Sequence, residues 1–166
     1  MRIVKVVGYD ENWPIQFEQE KKQLQAVLGA NVIEVYHIGS TAVPGMKAKP
    51  IIDMMGVVFD IQQIDLHTEK MNRLGYEAFG EHGITGRRYF QKGGEARSHH
   101  AHIYESGHPA IKRHLHFINY LKEHPEAREE YERLKLQLAE KYSTEPRAYN
   151  EGKARWIQGI DRIGED

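Results

Sequence analysis

The sequence predicts an α+β fold: a mixed β-sheet of about five strands with helices packed against it. Short apolar or alternating runs, bounded by Gly, Pro or Asp, recur through the middle of the chain as strands do. Helical spacing governs the first and last stretches. The 166 residues, 40% of them hydrophobic, suffice for one sizeable core. No repeat, low-complexity tract or linker divides them, so residues 1–166 read as a single domain.

Taken in order, Asp10 is placed to cap a helix over about Asn12–Leu28 with an apolar stripe of Trp13, Phe17, Leu24, Val27 and Leu28. Gly29 ends it. Val32–Ile38 follows as a strand and runs into a small-residue corner, Gly39-Ser40. A loop rich in Gly, Pro and Lys leads to a second strand, Pro50–Phe59, which carries Asp53 near its start. Asp60 and Gln63 form a capping pair for a helix ending at Leu74-Gly75. Tyr76–Phe79 is a short strand, and Arg87–Lys92 and Ser98–Glu105, joined through Gly93-Gly94, read as a hairpin. Ile111, Leu115, Ile118 and Leu121 then keep helical spacing. Pro125 opens a second helix with Ala127, Tyr131, Leu134 and Leu138 on one face. The last, about Pro146–Ile163, turns Tyr149, Trp156, Ile160 and Ile163 inward.

Composition narrows the function classes. A formal net charge of −1 argues against a dedicated nucleic-acid binder, which is usually strongly basic. Basic residues nevertheless cluster at Lys47–Lys49, Arg87–Arg88 and Lys92–Arg97, which suits a small anionic ligand or else plain solvated turns. No apolar run is long enough to span a bilayer. The start, Met1–Gly8 followed by Asp10 and Glu11, does not resemble a signal peptide, and there is no cysteine; a cytoplasmic location is expected.

The chemistry concentrates between residues 37 and 53. A Gly-Ser corner lets a ligand's phosphates approach backbone N–H groups, because Gly39 lacks a Cβ and Ser40 adds a hydroxyl. Asp53, on the neighbouring strand, is placed to hold a divalent metal, Mg²⁺ or Mn²⁺, against those phosphates. Twelve residues separate Ser40 from Asp53. This pattern resembles nucleotidyltransferases of the polymerase-beta type, in which a Gly-Ser corner precedes Asp-x-Asp or Asp-x-Glu by about that spacing. Here Met55 stands where the second acid would be, and a thioether is a poor Mg²⁺ ligand.

Nearly the whole chain resembles the GrpB family. The likeness rests on Tyr9–Pro14, on His37–Gly45, on Ala48–Asp53, on His124–Ala127 with Tyr131–Lys135, and on Tyr149–Lys153. It implies a nucleotidyltransferase-like fold but no settled activity. Phe117-Ile118-Asn119 departs from the Phe-Arg-Asp often found in relatives, so no role carries over to those positions.

Several further residues are candidates. Thr41 extends the phosphate corner, and Lys49, held extended before Pro50, is either a phosphate partner or a solvated lysine. On an extended strand His100 and His102 share a face and His99 takes the other. With Asp53 they form a candidate metal set favouring Zn²⁺, Mn²⁺ or Ni²⁺, or His102 serves as a base; ordinary polar roles remain the alternative. His37 lines the cleft or hydrogen-bonds beneath the corner. His114 and His116 read as surface residues and His108 and His124 as helix-entry residues. Arg88, or its neighbour Arg87, is expected to reach the cleft as an anion clamp. Lys153 lies at helical spacing from Tyr149 and Trp156, so it snorkels or aims its ammonium at a phosphate. The expected ligand is a nucleotide or a phosphorylated small molecule, bound by an enzyme of nucleotidyl transfer, by a non-catalytic module, or by a His/Asp metal-dependent hydrolase.

Overall fold

The structure, a computed structural model, describes residues 3–165. Met1, Arg2 and Asp166, which fall within the expected 1–166 domain, lie outside that range. Asp10 accepts a hydrogen bond from the Asn12 amide at 2.8 Å, and helix α1 (Trp13–Leu28) begins there. It buries Trp13, Phe17, Leu24 and Leu28 together with one acid, Glu20.

Five strands follow: β1 (Val32–Ile38), β2 (Ile52–Val58), β3 (Tyr76–Ala78), β4 (Arg87–Lys92) and β5 (His99–Glu105). They form one mixed sheet in the order β1-β2-β5-β4-β3, with β2 and β5 parallel and the other pairs antiparallel. The expected hairpin is β4–β5. Its register sets Arg88 opposite Ile103, and Arg87, Tyr89 and Gln91 opposite Tyr104, His102 and His100.

The segment after Asp60 differs from expectation. Residues Ile61–His67 form a 3-10 turn and only Thr68–Arg73 (α2) is α-helical. Asp60 caps the Gln62 amide at 3.0 Å, not that of Gln63.

The chain ends in α3 (Pro109–Glu123), α4 (Pro125–Lys141) and α5 (Pro146–Glu165). Alternation along the strands divides the apolar residues between two cores. Ile52, Met54, Val58, Ala101 and Ile103 pack with α1 on one side, and Ile38, Met55 and Tyr104 pack with α3–α5 on the other. Ile163, expected inward, is 50% exposed, because the apolar face of α5 leaves the core after Ile160. Among the described residues no helix is long and apolar enough to cross a membrane.

Candidate functional site

The corner and the acid meet. Gly39 has φ 72°, and a Cβ built on it would lie 2.8 Å from Asp53 Oδ2. Only glycine tolerates both that conformation and that approach. Ser40–Ala42 then turn as a short 3-10 segment. Beneath it, His37 bonds Thr41 Oγ1 at 2.9 Å and stacks on Phe17 with ring centroids 4.8 Å apart. His37 therefore supports the corner from the α1 side, and burial lowers its pKa to about 4.

A cavity of about 920 Å³ opens between this part of the sheet and α3–α5. Gly39, Ser40, Thr41 and Lys49 line it from the corner and its loop. Asp53, His100 and His102 line it from β2 and β5, and Lys153 from α5. Of the expected site residues only Arg88 is elsewhere. Paired with Ile103, it points to the α1–α2 side and holds Asp65 with two bonds of 2.8 and 3.2 Å. Of these two arginines it is Arg87 that lines the cavity.

Asp53 is tied to both histidines. Its Oδ1 lies 3.2 Å from His100 Nδ1 and 3.6 Å from His102 Nε2. The far nitrogens face arginines: His100 Nε2 is 3.2 Å from Arg97 Nη1, and His102 Nδ1 is 3.3 Å from Arg87 Nη1. A guanidinium cannot accept, so each of those nitrogens is the acceptor and the proton of each neutral ring points at Asp53. Burial opposes ionisation of Asp53, but the hydrogen bond from His100 and the close approach of His102 outweigh it and hold the carboxyl well below its usual range. Burial likewise lowers the pKa of His102.

Three cavity residues, His114, Lys135 and Tyr149, were not assigned to the site from sequence. His114, expected on the surface, bonds Tyr104 Oη at 3.2 Å, and burial lowers its pKa to about 4. Its neighbour in that expectation, His116, is half-buried and reaches the Ile160 carbonyl at 3.1 Å. Lys135 is 1% exposed, sits 4.7 Å from the Tyr131 ring and donates to the Lys47 carbonyl. Burial, aided by the positive charges of Lys153 and Lys49, lowers its pKa to about 7. Tyr149 is fully buried, has the ammonium groups of Lys49 and Lys153 each 4.8 Å from its ring, and finds no hydrogen-bond partner for its hydroxyl among the described residues. The signal for Lys135 was available: it follows Tyr131 by four residues on the apolar face of α4. Arg87 needed the strand register.

Among the described residues no three His, Cys, Asp or Glu side chains form a ready metal cluster. The position of a second carboxylate is closed, since Met55 is wholly buried in the core under α3. A divalent cation at this corner would take Asp53 as its carboxylate, with a thioether at the position where a two-ion clamp has its second acid.

The sequence profile of the GrpB protein family matches residues 3–162. The UPF0157 protein YqkA of Bacillus subtilis is 48% identical over 157 residues, covering 95% of this chain but 46% of that protein, so the chain spans about half its length. The crystal structure of conserved protein GrpB from Enterococcus faecalis superposes with a TM-score of 0.92 at 42% identity, covering 96% of both chains. The Cid1 poly(U) polymerase superposes with a TM-score of 0.53 at 13% identity over 80% of this chain and 42% of that one, which is a likeness of fold. With the end-to-end match to its profile and the close superposition on a solved member, this chain belongs to the GrpB family and has the nucleotidyltransferase-like fold.

Proposed function

We infer that the cavity binds a nucleotide or another phosphorylated small molecule. The observation that carries this reading is the convergence of Lys49, Lys135 and Lys153 on one buried tyrosine pair beside the Gly39-Ser40 corner. Three ammonium groups brought together, two of them (Lys135 and Lys153) with proton affinity lowered by burial, form a costly arrangement that an anion would relieve. The ligand's phosphates would take the Ser40 hydroxyl, the corner amides and the lysines. Asp53 would hold one Mg²⁺ or Mn²⁺ against them, a cation whose bound form polarises the phosphoryl group. Structures of Cid1, the fold neighbour, include complexes with MgGTP and MgATP.

In this reading His100 and His102 are hydrogen-bond donors that steady the Asp53 carboxylate, and Thr41 and His37 brace the corner. Arg88 is assigned no part in binding. The buried Met55 favours binding over two-metal nucleotidyl transfer, because the β2 position that would carry the second carboxylate holds a thioether instead. Calorimetric titration with nucleoside triphosphates, with and without Mn²⁺, tests the reading. Micromolar binding that Lys153→Met weakens at least ten-fold and that Asp53→Asn renders metal-independent would support it; the same affinity in all three proteins would end it. Release of pyrophosphate with any acceptor would instead favour transfer.

A further inference from the structure

Arg87 carries a charge the phosphate reading leaves unused. It is 6% exposed yet lines the cavity. Its guanidinium donates to the Glu81 carbonyl at 3.1 Å, to the His82 carbonyl at 2.7 Å and toward His102 Nδ1 at 3.3 Å, and it lies 4.8 Å from the Tyr89 ring. His82 holds a left-handed backbone, φ 47°, in the loop that supplies these carbonyls. Every one of these partners is neutral. No ion pair to a carboxylate forms at Arg87 among the described residues, whereas the next residue, Arg88, has Asp65.

A buried guanidinium with only neutral acceptors is expensive, by several kcal/mol for an unpaired buried ion. Proteins keep such a group where an oxyanion arrives to pair with it, and the planar fork suits a carboxylate or phosphate in two-point contact. The whole cavity shows the same bias. Seven lysines and arginines line it against three carboxylates, although the chain as a whole is near neutral.

We propose that Arg87 is the centre of a second anion subsite, distinct from the lysine end, which holds an acidic group of a second ligand or of the far end of a long one. The sheet sets the separation. Gly39 ends β1 and Asp53 is on β2, while Arg87 is on β4, two strands beyond β2 and roughly 10 Å across the sheet. One phosphate cannot serve both ends. Asp53 lies between them, reached from Arg87 through His102 and adjoining Gly39 on its other side. If the lysine end holds the nucleotide, as inferred above, the molecule placed beside it at Asp53 is itself an acid, phosphorylated or carboxylated. A neutral alcohol or a cationic amine would leave Arg87 unmatched.

Titration of the full chain with inorganic phosphate, and separately with succinate, followed by the ¹⁵N signals of arginine Nε, tests this. Arg87→Gln and Lys153→Met are compared with wild type, and Arg88→Gln serves as a control away from the cavity. Phosphate is expected to fill two classes of site, one weakened at least ten-fold by each cavity variant and neither by Arg88→Gln. The Arg87 Nε signal of wild type should shift on saturation. Competition at that signal by succinate identifies a carboxylated ligand, and competition by phosphate alone identifies a phosphorylated one. Arg87→Lys, which keeps the charge without the fork, covers the case in which Arg87→Gln does not fold and should weaken that class too. Binding removed by Lys153→Met but untouched by both Arg87 variants, with no shift of the Arg87 signal, overturns the subsite and spares the nucleotide reading. The reverse pattern supports the subsite and removes that reading.

Discussion

Replacing Lys135 by Met separates the cost of this buried lysine from its use. Burial lowers the ammonium's pKa from the ordinary 10.5 to about 7. At about 1.4 kcal/mol per pKa unit, keeping it charged inside the fold costs on the order of 5 kcal/mol. The sign follows from proton counting. Between about pH 7 and pH 10.5 the unfolded chain binds more protons than the folded one, so wild-type stability rises with pH through that window and the full penalty applies below it. Met fills a similar volume without a charge. It forfeits the hydrogen bond to the Lys47 carbonyl, worth about 1 kcal/mol, but Lys47 is exposed and water can replace the donor. Lys135→Met should therefore be more stable than wild type near pH 6, by roughly 2–4 kcal/mol after such losses. The gap should narrow as the pH approaches 10. Urea unfolding at several pH values measures it. Parallel stability curves for the two proteins, or a less stable variant near pH 6, would refute the reasoning. Added inorganic phosphate should stabilise wild type more than Lys135→Met, because the variant loses the lysine end and keeps only the Arg87 subsite.

Gly39→Ala should cost roughly 2–4 kcal/mol, from the left-handed backbone and a Cβ placed 2.8 Å from Asp53 Oδ2, and thermal unfolding together with loss of nucleotide affinity would show it. Tyr149→Phe deletes a buried hydroxyl that has no partner among the described residues, so it should raise stability by about 1 kcal/mol or leave it unchanged while weakening nucleotide binding in calorimetry. Arg88→Gln breaks a partly exposed pair with Asp65, should cost about 1 kcal/mol or less, and should not alter any ligand affinity. A large binding loss there would restore Arg88 to the site.

The strands and helices were legible because their periods differ and because Gly, Pro and Asp mark their ends. The helix after Asp60 begins later than expected because Asp60 offers the same capping side chain to a 3-10 turn as to an α-helix, so the cap alone does not distinguish them. Within the site, Gly39, Asp53, His100 and His102 could be placed together from strand alternation and loop length. Arg87 and Arg88 could not be told apart, since one residue of register exchanges their faces. His114 was assigned to the surface because helix spacing relates it to neighbours on α3 but not to Tyr104 on β5, which is what buries it. Lys135 drew no role of its own from the sequence, although its place on the face of Tyr131 marks it as inward.

The most direct test of the site is where a bound metal sits. Mn²⁺ added with a nucleoside triphosphate should broaden the NMR signals of Ile38, Asp53 and His100 selectively, and Asp53→Asn should abolish that pattern. Broadening that spreads over surface acids such as those of α4, or that persists unchanged in Asp53→Asn, would contradict the meeting of corner, carboxylate and phosphate on which the account rests.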